Sequence, residues 1–360
     1  MARLAVDVQL SDFMRSLPWH FGCSSRGQYP DDELLQTKER AMKILVPLDG
    51  SSLAEEAVDT AINLAAGGPF TLSLLMATEA HGLPVADPID AQVRVVREAE
   101  GYLASVRDRL EKYGITDVDT SAWYGQAAPS ILEGARLKKA DLIVMSSHGR
   151  SGLGRLILGS VAESVLRSTR VPLCIVHGSK AASTELPAWQ KQGANRRWKA
   201  YRRVLVALDG SPAAEKILPL VLGFAGPLGL EVTLMRVNVP VRPTIVEGTA
   251  LTMLEDPETD QIDAEEYLAP LAVDLRRHGL RVKTQVRRGP AAEEILRAAS
   301  ESNADLIAMT THGRTGLGRL LLGSVAETVL RTTSLPVFLM RATAAEAPSL
   351  VSAARQGGER

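Results

Sequence analysis

The sequence is poor in cysteine and in aromatic residues, and each shortage narrows the range of structures and functions. Cys23 and Cys174 are the only cysteines among the 360 residues, with no CxxC pair and no His/Cys cluster at metal-ligand spacing. A disulfide framework is therefore not expected, and a reducing cytoplasm is the predicted location. Aromatic residues make up 4% of the chain, which predicts cores built mainly from aliphatic side chains.

The chain also lacks an excess of charge and a long apolar run. Its 41 basic residues nearly balance its 42 acidic residues, so composition does not favour nucleic-acid binding through a basic face. No apolar run approaches the roughly 20 residues that cross a bilayer. The N-terminus carries Asp7 and Asp12, whereas a secretory signal is uncharged and apolar there. We expect a soluble cytoplasmic protein with no nucleic-acid partner and no membrane partner.

What the sequence does contain is a long internal repeat. Residues 140–172 and 304–336 are identical at 24 of 33 positions, and most of the other positions exchange Ser for Thr or one aliphatic residue for another. The segment KILVPLDGSS at 43–52 matches RVLVALDGSP at 203–212. A repeat of this length is a whole domain, so the sequence predicts two tandem copies of one domain.

The repeat also sets the predicted domain boundaries. Residues 41–178 form the first predicted domain, and residues 201–343 form the second. Residues 179–200 are polar, contain Pro and Gly and lack apolar periodicity, which is typical of a linker. Residues 1–40 have no counterpart in the second copy and are an N-terminal extension, and residues 344–360 are predicted to be a C-terminal tail.

Within each copy, short aliphatic runs alternate with segments of helical period. The predicted strands of the first copy cover 43–48, 70–77, 117–123, 141–146 and 172–177. The predicted helices cover 52–66, 88–113, 128–138 and 160–169. Continuous apolar runs suit strands that are buried on both faces. The alternation predicts two doubly wound α/β domains, each with a five-stranded parallel sheet, right-handed crossovers and ligands bound beyond the carboxyl ends of the strands.

Two helix starts carry capping patterns. Ser52 and Glu55 have the spacing of a capping box, in which each side chain bonds the backbone N–H of the other residue. Ser211 stands directly before Pro212, which predicts an N-cap followed by proline at the first helical position.

The most informative segments are two glycine-rich stretches, SSHGRSGLGRLILGS at 146–160 and TTHGRTGLGRLLLGS at 310–324. Each follows a predicted strand and leads into a helix that opens at Gly159 or Gly323. Glycines let the backbone approach a ligand closely, and a helix N-terminus attracts anions. Neither stretch is a Walker A motif or a dinucleotide fingerprint in its usual place after the first strand.

These stretches resemble the G-x2-G-x9-G-[ST] motif of the nucleotide-binding branch of the universal stress protein family. The second half of the motif is matched twice, by Gly149, Gly159 and Ser160 and by Gly313, Gly323 and Ser324. The first glycine is replaced by Ser146 in one copy and by Thr310 in the other. The resemblance covers nearly all of 42–177 and 202–341, and it implies a Rossmann-like fold of the adenine nucleotide α-hydrolase type.

The resemblance further implies a site for ATP, or for AMP or ADP, with Mg²⁺ carried by the phosphates. In the first copy the implied site residues are Pro47, Asp49, Ala77, Ser146, Gly149, Gly159, Ser160 and Val161. In the second copy they are Ala207, Asp209, Val237, Thr310, Gly313, Gly323, Ser324 and Val325. Within each set the first three residues would lie against the adenosine moiety, and the glycines with the two residues after them would hold the phosphates.

Several of these residues have a structural alternative. Ser160 and Ser324 could bind phosphate, or each could cap its own helix as part of a Ser-Val-Ala-Glu capping box. Asp49 and Asp209 could contact the ligand, or they could close a turn with the Gly-Ser that follows.

The favoured function is an adenine-nucleotide-binding regulatory or sensor module of the stress response. His148 and His312 have no partner acid or nucleophile at a shared spacing, so no catalytic residue is assigned. The alternatives are a slow ATP-hydrolysing enzyme and a nucleotide-free dimerising scaffold, in which Ser146 and Thr310 close the site. The family commonly pairs domains through their last strands, which implies a pseudo-dimer of the two copies within the chain and, as a further expectation, a homodimer.

Overall fold

The structure is a computed structural model, and it describes residues 41–65, 69–79, 88–147, 158–177, 201–240, 257–311 and 322–341. The predicted N-terminal extension, linker and C-terminal tail lie outside these ranges, so their assignments stay predictions. The same is true of Gly149, Gly313, His148 and His312.

The first copy alternates strands and helices as the sequence predicts. Its strands are β1 (Met42–Pro47), β2 (Phe70–Thr78), β3 (Val118–Tyr124), β4 (Leu142–Ser146) and β5 (Leu173–Val176). Its helices are α1 (Ser52–Ala65), α2 (Pro88–Glu111), α3 (Ala127–Lys138) and α4 (Ser160–Ser168). Every predicted element of this copy is present, and its ends lie within about two residues of the predicted ones, the usual uncertainty of element boundaries.

The second copy repeats this order with one difference. Its strands are β6 (Arg203–Leu208), β7 (Glu231–Asn238), β8 (Arg281–Arg288), β9 (Leu306–Thr310) and β10 (Val337–Met340). Its helices are α5 (Pro212–Glu215), α6 (Leu218–Leu228), α7 (Pro257–Arg277), α8 (Ala291–Glu301) and α9 (Ser324–Thr332). The single helix α1 is thus replaced by two shorter helices. Pro219 explains the break, because it stands where the first copy has Asp59 and it cannot donate a helical hydrogen bond to Glu215.

All ten described strands belong to one sheet, in the order β3-β2-β1-β4-β5-β10-β9-β6-β7-β8. Strand pairs within each copy are parallel, so the carboxyl ends of β1, β2 and β4 lie at one edge, as do those of β6, β7 and β9. Only β5 and β10 pair antiparallel, with Cys174 opposite Phe338. The predicted fold class is confirmed, and the last strands of the two copies pair with each other as expected.

Helices cover both faces of this sheet. Ile44 and Val46 contribute to a core on one face, and Leu45, between them, belongs to the core on the other face. The first core contains residues of α1 and α2, and the second contains residues of α3 and α4. Each core continues into the second copy and is largely aliphatic, as the low aromatic content predicts. This layered packing fixes where the strands end and therefore where a ligand can lie.

Candidate functional site

The turn between β1 and α1 is closed by Asp49. Its Oδ1 accepts hydrogen bonds from the Ser51 N–H at 3.0 Å and from the Ser51 hydroxyl at 2.6 Å. The Ser51 Oγ in turn accepts from the Ala54 N–H at 3.1 Å, so Ser51 is the N-cap of α1. Gly50 between them has a φ of +84°, which favours glycine. The predicted capping box of Ser52 is therefore wrong, because the turn places the cap one residue earlier.

The second copy has the same turn with the same distances. Asp209 Oδ1 accepts from the Ser211 N–H at 3.0 Å and from the Ser211 hydroxyl at 2.6 Å, and Ser211 Oγ accepts from the Ala214 N–H at 3.1 Å. The predicted N-cap at Ser211, before Pro212, is confirmed. The turn-closing role of the two aspartates is thus present in both copies. It does not exclude a ligand, because Asp209 also lines a cavity.

The glycines that precede α4 and α9 are held by matching backbone hydrogen bonds. The Gly159 N–H donates to the Ser147 carbonyl at 2.7 Å, and the Gly323 N–H donates to the Thr311 carbonyl at 2.7 Å. Both glycines have extended backbone, with φ and ψ of −65° and 156° at Gly159 and of −70° and 154° at Gly323. Each helix start is thereby anchored to the residue that follows β4 or β9.

Ser160 and Ser324 are the first helical residues and not the N-caps. Gly159 and Gly323 occupy the N-cap positions, and neither helix has a side-chain cap. The capping-box alternative for these serines is therefore wrong, because the box needs the serine one position earlier. The acid of the proposed box in α4, Glu163, instead pairs with Arg167 at 2.9 Å.

A cavity of about 420 Å³ lies at the carboxyl edge of the second copy. Its wall contains seven of the eight site residues predicted for this copy, namely Ala207, Asp209, Val237, Thr310, Gly323, Ser324 and Val325. The eighth, Gly313, lies outside the described residues. These residues come from the ends of β6, β7 and β9 and from the start of α9. The structure thus gathers residues that are more than a hundred positions apart in the sequence.

The predicted residues of the first copy lie on the corresponding elements. Pro47 ends β1, Ala77 lies next to the end of β2, and Ser146 ends β4. Asp49 follows β1 in the turn described above, and Gly159, Ser160 and Val161 open α4. All of these belong to the edge that in the second copy borders the cavity, and Gly149 lies outside the described residues.

The residues that replace the first motif glycine are buried. Ser146 is 7% exposed and Thr310 is 6% exposed, and each ends the fourth strand of its copy. Thr310 lines the cavity, which keeps its volume of about 420 Å³ with that side chain in place. The change from glycine therefore does not close the pocket of the second copy.

Comparison with known proteins agrees with this geometry. The sequence profile of the universal stress protein family matches residues 41–177 and 200–341. The chain belongs to the universal stress protein family. A universal stress protein of Mycolicibacterium smegmatis is 29% identical over 308 residues, which is 83% of this chain and 96% of that protein. Universal stress protein MJ0531 of Methanocaldococcus jannaschii is 34% identical over 142 residues, 38% of this chain and 83% of the relative.

A solved structure supports the fold of the whole two-copy arrangement. The crystal structure of a universal stress protein from Archaeoglobus fulgidus matches with a TM-score of 0.61 and 22% identity, over 84% of this chain and 98% of that one. At this level of identity the match concerns the fold alone.

In this member of the family the helix that follows each aspartate turn carries an acid, which is buried in the first copy and half-buried in the second. Glu55 accepts hydrogen bonds from the Tyr102 hydroxyl at 2.8 Å and from Arg109 Nη2 at 3.1 Å. Burial raises the pKa of Tyr102, and the charge of Glu55 raises it further. In the second copy Glu215 takes the place of Glu55. Burial raises the pKa of Glu215, and the nearby charge of Asp209 also raises it.

Sequence reasoning missed the part of the cavity wall that α7 and the end of β7 supply. Arg236, Asn238, Asp260 and Asp263 line the cavity, and none of them belongs to a motif. Arg236 and Asn238 could have been flagged by their place near the carboxyl end of a strand. The two aspartates lie on a helix that begins well after β7, so only the folded structure brings them to the site.

The described ranges contain no group of three or more His, Cys, Asp or Glu residues that could hold a metal ion. Over the same ranges, no helix is both long and apolar enough to cross a membrane.

Proposed function

We propose that this chain binds an adenine nucleotide at the carboxyl edge of each copy and acts as a regulatory or sensor module of the stress response. The observation that carries the proposal is the cavity of the second copy. Seven of the eight positions implied by the family motif line it, although they come from four separate elements. Its volume of about 420 Å³ is within the range of roughly 300–1,000 Å³ typical of small-molecule sites.

The start of α9 is suited to bind phosphate. Gly323 is the N-cap and brings no side chain, so the first N–H groups of the helix have no side-chain acceptor. A negative charge near such a helix end is stabilised by about 0.3–1 kcal/mol through the helix dipole. Ser324, at the first helical position, adds a hydroxyl at the same place. The start of α4 has the same backbone conformation, with Gly159 and Ser160 in these positions.

The proposed ligand is ATP, with AMP and ADP as the alternatives, and Mg²⁺ would arrive on the phosphates. Binding would regulate by stabilising the liganded conformation. A ligand at a hundred times its Kd stabilises the folded state by about 2.7 kcal/mol. A homodimer, formed in addition to the β5–β10 pairing within the chain, stays a prediction, and light scattering of the purified chain is the measurement that decides it.

The first experiment identifies any nucleotide that accompanies the purified protein. The full chain is purified without added nucleotide and denatured, and the supernatant is analysed by ion-exchange chromatography. Recovery of about one or two adenine nucleotides per chain supports the proposal. If the supernatant is empty, titration with Mg-ATP in a calorimeter decides, and a flat titration would favour the nucleotide-free scaffold.

Hydrolysis is tested on the same preparation. The proposal expects nucleotide to be retained without significant turnover, because no catalytic group is assigned to the site. Release of ADP or AMP well above the rate of a Ser160→Ala, Ser324→Ala double variant would instead indicate a slow ATPase.

A further inference from the structure

The cavity of the second copy has two chemically different sides. One side is the start of α9, where the backbone N–H groups of Ser324 and Val325 have no acceptor within the helix. The other side is formed by Asn238, Asp260 and Asp263, which we call the acceptor wall, with Arg236 beside them. Asp263 is exposed, and the other two are half-buried.

The acceptor wall is fixed by bonds between β7 and α7. The Asn238 side-chain amide nitrogen donates to the Asp260 carbonyl at 2.8 Å. Arg236 Nη1 donates to the Asp263 carbonyl at 3.4 Å, and its guanidinium carbon lies 5.3 Å from the centre of the Tyr267 ring. These contacts fasten the first turns of α7 to the end of β7. The Asn238 side chain and the backbone of the two aspartates are therefore in place before a ligand binds, which lowers the entropic cost of binding.

The chemistry of this wall is that of a hydrogen-bond acceptor. An ionised carboxylate accepts hydrogen bonds and cannot donate them. Asn238 directs its amide nitrogen to α7, which leaves its Oδ1 as an acceptor for a ligand. Two carboxylates outnumber the single guanidinium of Arg236 beside them, so this side of the cavity favours amino and hydroxyl groups over phosphate. A nucleotide has both kinds of group, with phosphates at one end and donors on its base and sugar.

The first copy keeps one acid of this wall, because Glu98 corresponds to Asp263, but it differs at the other two positions. Because Tyr102 and Tyr267 occupy the same position in α2 and α7, the residue that corresponds to Asp260 is Val95, seven positions before the tyrosine. Strand β2 pairs with β1 in the same register as β7 pairs with β6, so Thr78 of β2 corresponds to Asn238 of β7. The two copies thus share the turn and the helix start but differ on the side where the nucleoside would lie.

We propose that the acceptor wall binds the hydrogen-bond donors of the nucleoside, and that it makes the second site selective for nucleotides that keep those donors. The donors are the exocyclic amine of the base or the hydroxyls of the ribose. The first site, where Val95 and Thr78 replace Asp260 and Asn238 and only Glu98 matches the wall, lacks this selectivity. This inference rests on the proposed function, because it assigns the ligand groups recognised within the same site.

The test measures selectivity at the second site of the full chain. The first site is disabled with Ser160→Asp, whose carboxylate repels phosphate while an acid in the first turn suits the helix. Calorimetry then compares Mg-ATP with inosine triphosphate, which lacks the exocyclic amine, and with 2′-deoxy-ATP and 3′-deoxy-ATP, which each lack one ribose hydroxyl. The same ligands are titrated into Asp260→Val, which copies the first site. Glu266→Val serves as the matched control, because Glu266 is an exposed acid of α7 that does not line the cavity.

The expected result is that ATP binds about tenfold or more tightly than at least one analogue, since a hydrogen bond to a carboxylate is lost. This preference should fall to near unity in Asp260→Val and persist in Glu266→Val. The reciprocal chain, with Ser324→Asp and an intact first site, should show no such preference. The inference is overturned if Asp260→Val prefers ATP over the analogues as strongly as its parent does, or if the parent shows no such preference. The proposed function would still stand in either case, because ATP binds. Failure of ATP to bind at either site overturns the proposed function and the inference together.

Discussion

Cys174 on β5 and Phe338 on β10 lie directly opposite each other, and they are also the corresponding residues of the two copies. The neighbouring pairs, Ile175 with Val337 and Leu173 with Leu339, are arranged symmetrically around them. The two copies are therefore related by an approximate two-fold axis that passes through this pair. A small thiol faces a large ring at the axis, and both side chains are fully buried.

This pair predicts how the junction between the copies responds to mutation. Phe338 also stacks on Phe224, with ring centres 4.6 Å apart and planes 12° apart, so its ring has little room to move. Cys174→Phe should overpack the junction and lower the free energy of unfolding by about 1–3 kcal/mol. Urea unfolding monitored by circular dichroism measures the change. Cys174→Ala is the control, and a Phe variant as stable as the Ala variant would show that the strands do not pair as described.

The buried Glu55 and its partner Tyr102 should be energetically coupled in the stability of the first copy. Its side chain is 7% exposed and accepts the Tyr102 hydroxyl at 2.8 Å. Tyr102→Phe should lower the free energy of unfolding by about 1.5–3 kcal/mol, because hydrogen bonds to charged groups are worth roughly that much. The same change should cost less in a Glu55→Gln background, with a coupling energy above about 0.5 kcal/mol in a double-mutant cycle. Strict additivity would argue against the bond.

Glu215 predicts a pH dependence of stability in the second copy. Burial, together with the charge of Asp209, raises its pKa in the folded chain above the value in the unfolded chain. Ionisation of Glu215 therefore costs more in the folded state, and its contribution to stability declines as pH rises from about 4 through the raised pKa. Glu215→Gln cannot ionise, so it should gain stability relative to the parent chain between about pH 4 and pH 7.

Urea unfolding at stepped pH checks this sign. Glu266→Gln is the matched control, since Glu266 is an exposed acid in the middle of α7, and the gain of Glu215→Gln with rising pH should exceed that of the control. A Glu215→Gln difference that stays flat or that reverses with rising pH contradicts the prediction.

A negative charge introduced at either helix start should weaken nucleotide binding without lowering the stability of the fold. Ser160→Asp and Ser324→Asp place a carboxylate in the first turn of α4 or α9, where it should be neutral or stabilise the fold by up to about 1 kcal/mol. Each variant should lose the nucleotide of its own copy through charge repulsion and keep that of the other. Ser160→Ala and Ser324→Ala remove only the hydroxyl and should weaken binding much less. Calorimetric stoichiometry and thermal unfolding report the two effects, and an Asp variant that still binds two nucleotides would remove the serines from the phosphate site.

Much of the fold could be predicted because the strands are continuous apolar runs bounded by polar turns. The repeat then marked Asp49, Asp209 and the glycine stretches as a shared feature of both copies. Predictions failed where one residue changed the local geometry. The Asp49–Ser51 bond places the N-cap at Ser51 and not at Ser52. The two copies also differ from each other, because Pro219 interrupts in the second copy a helix that is continuous in the first.

The acceptor wall could not be predicted for a different reason. Asn238 and Asp260 are joined by a hydrogen bond between a strand end and a helix, and the intervening sequence carries no motif that predicts it. Contacts of this kind depend on how the helix packs on the sheet, which periodicity alone does not determine. The residues that the repeat marked in the second copy line one cavity, and the residues that differ between the copies were missed.

The most direct test of the proposed function is a calorimetric titration of the full chain with Mg-ATP after any bound nucleotide has been removed. The account predicts saturable binding with a stoichiometry of about one or two per chain, and a loss of the second-copy site in Ser324→Asp. A flat titration at micromolar protein, with the chain folded by circular dichroism, would contradict the account and leave a nucleotide-free scaffold as the function to examine.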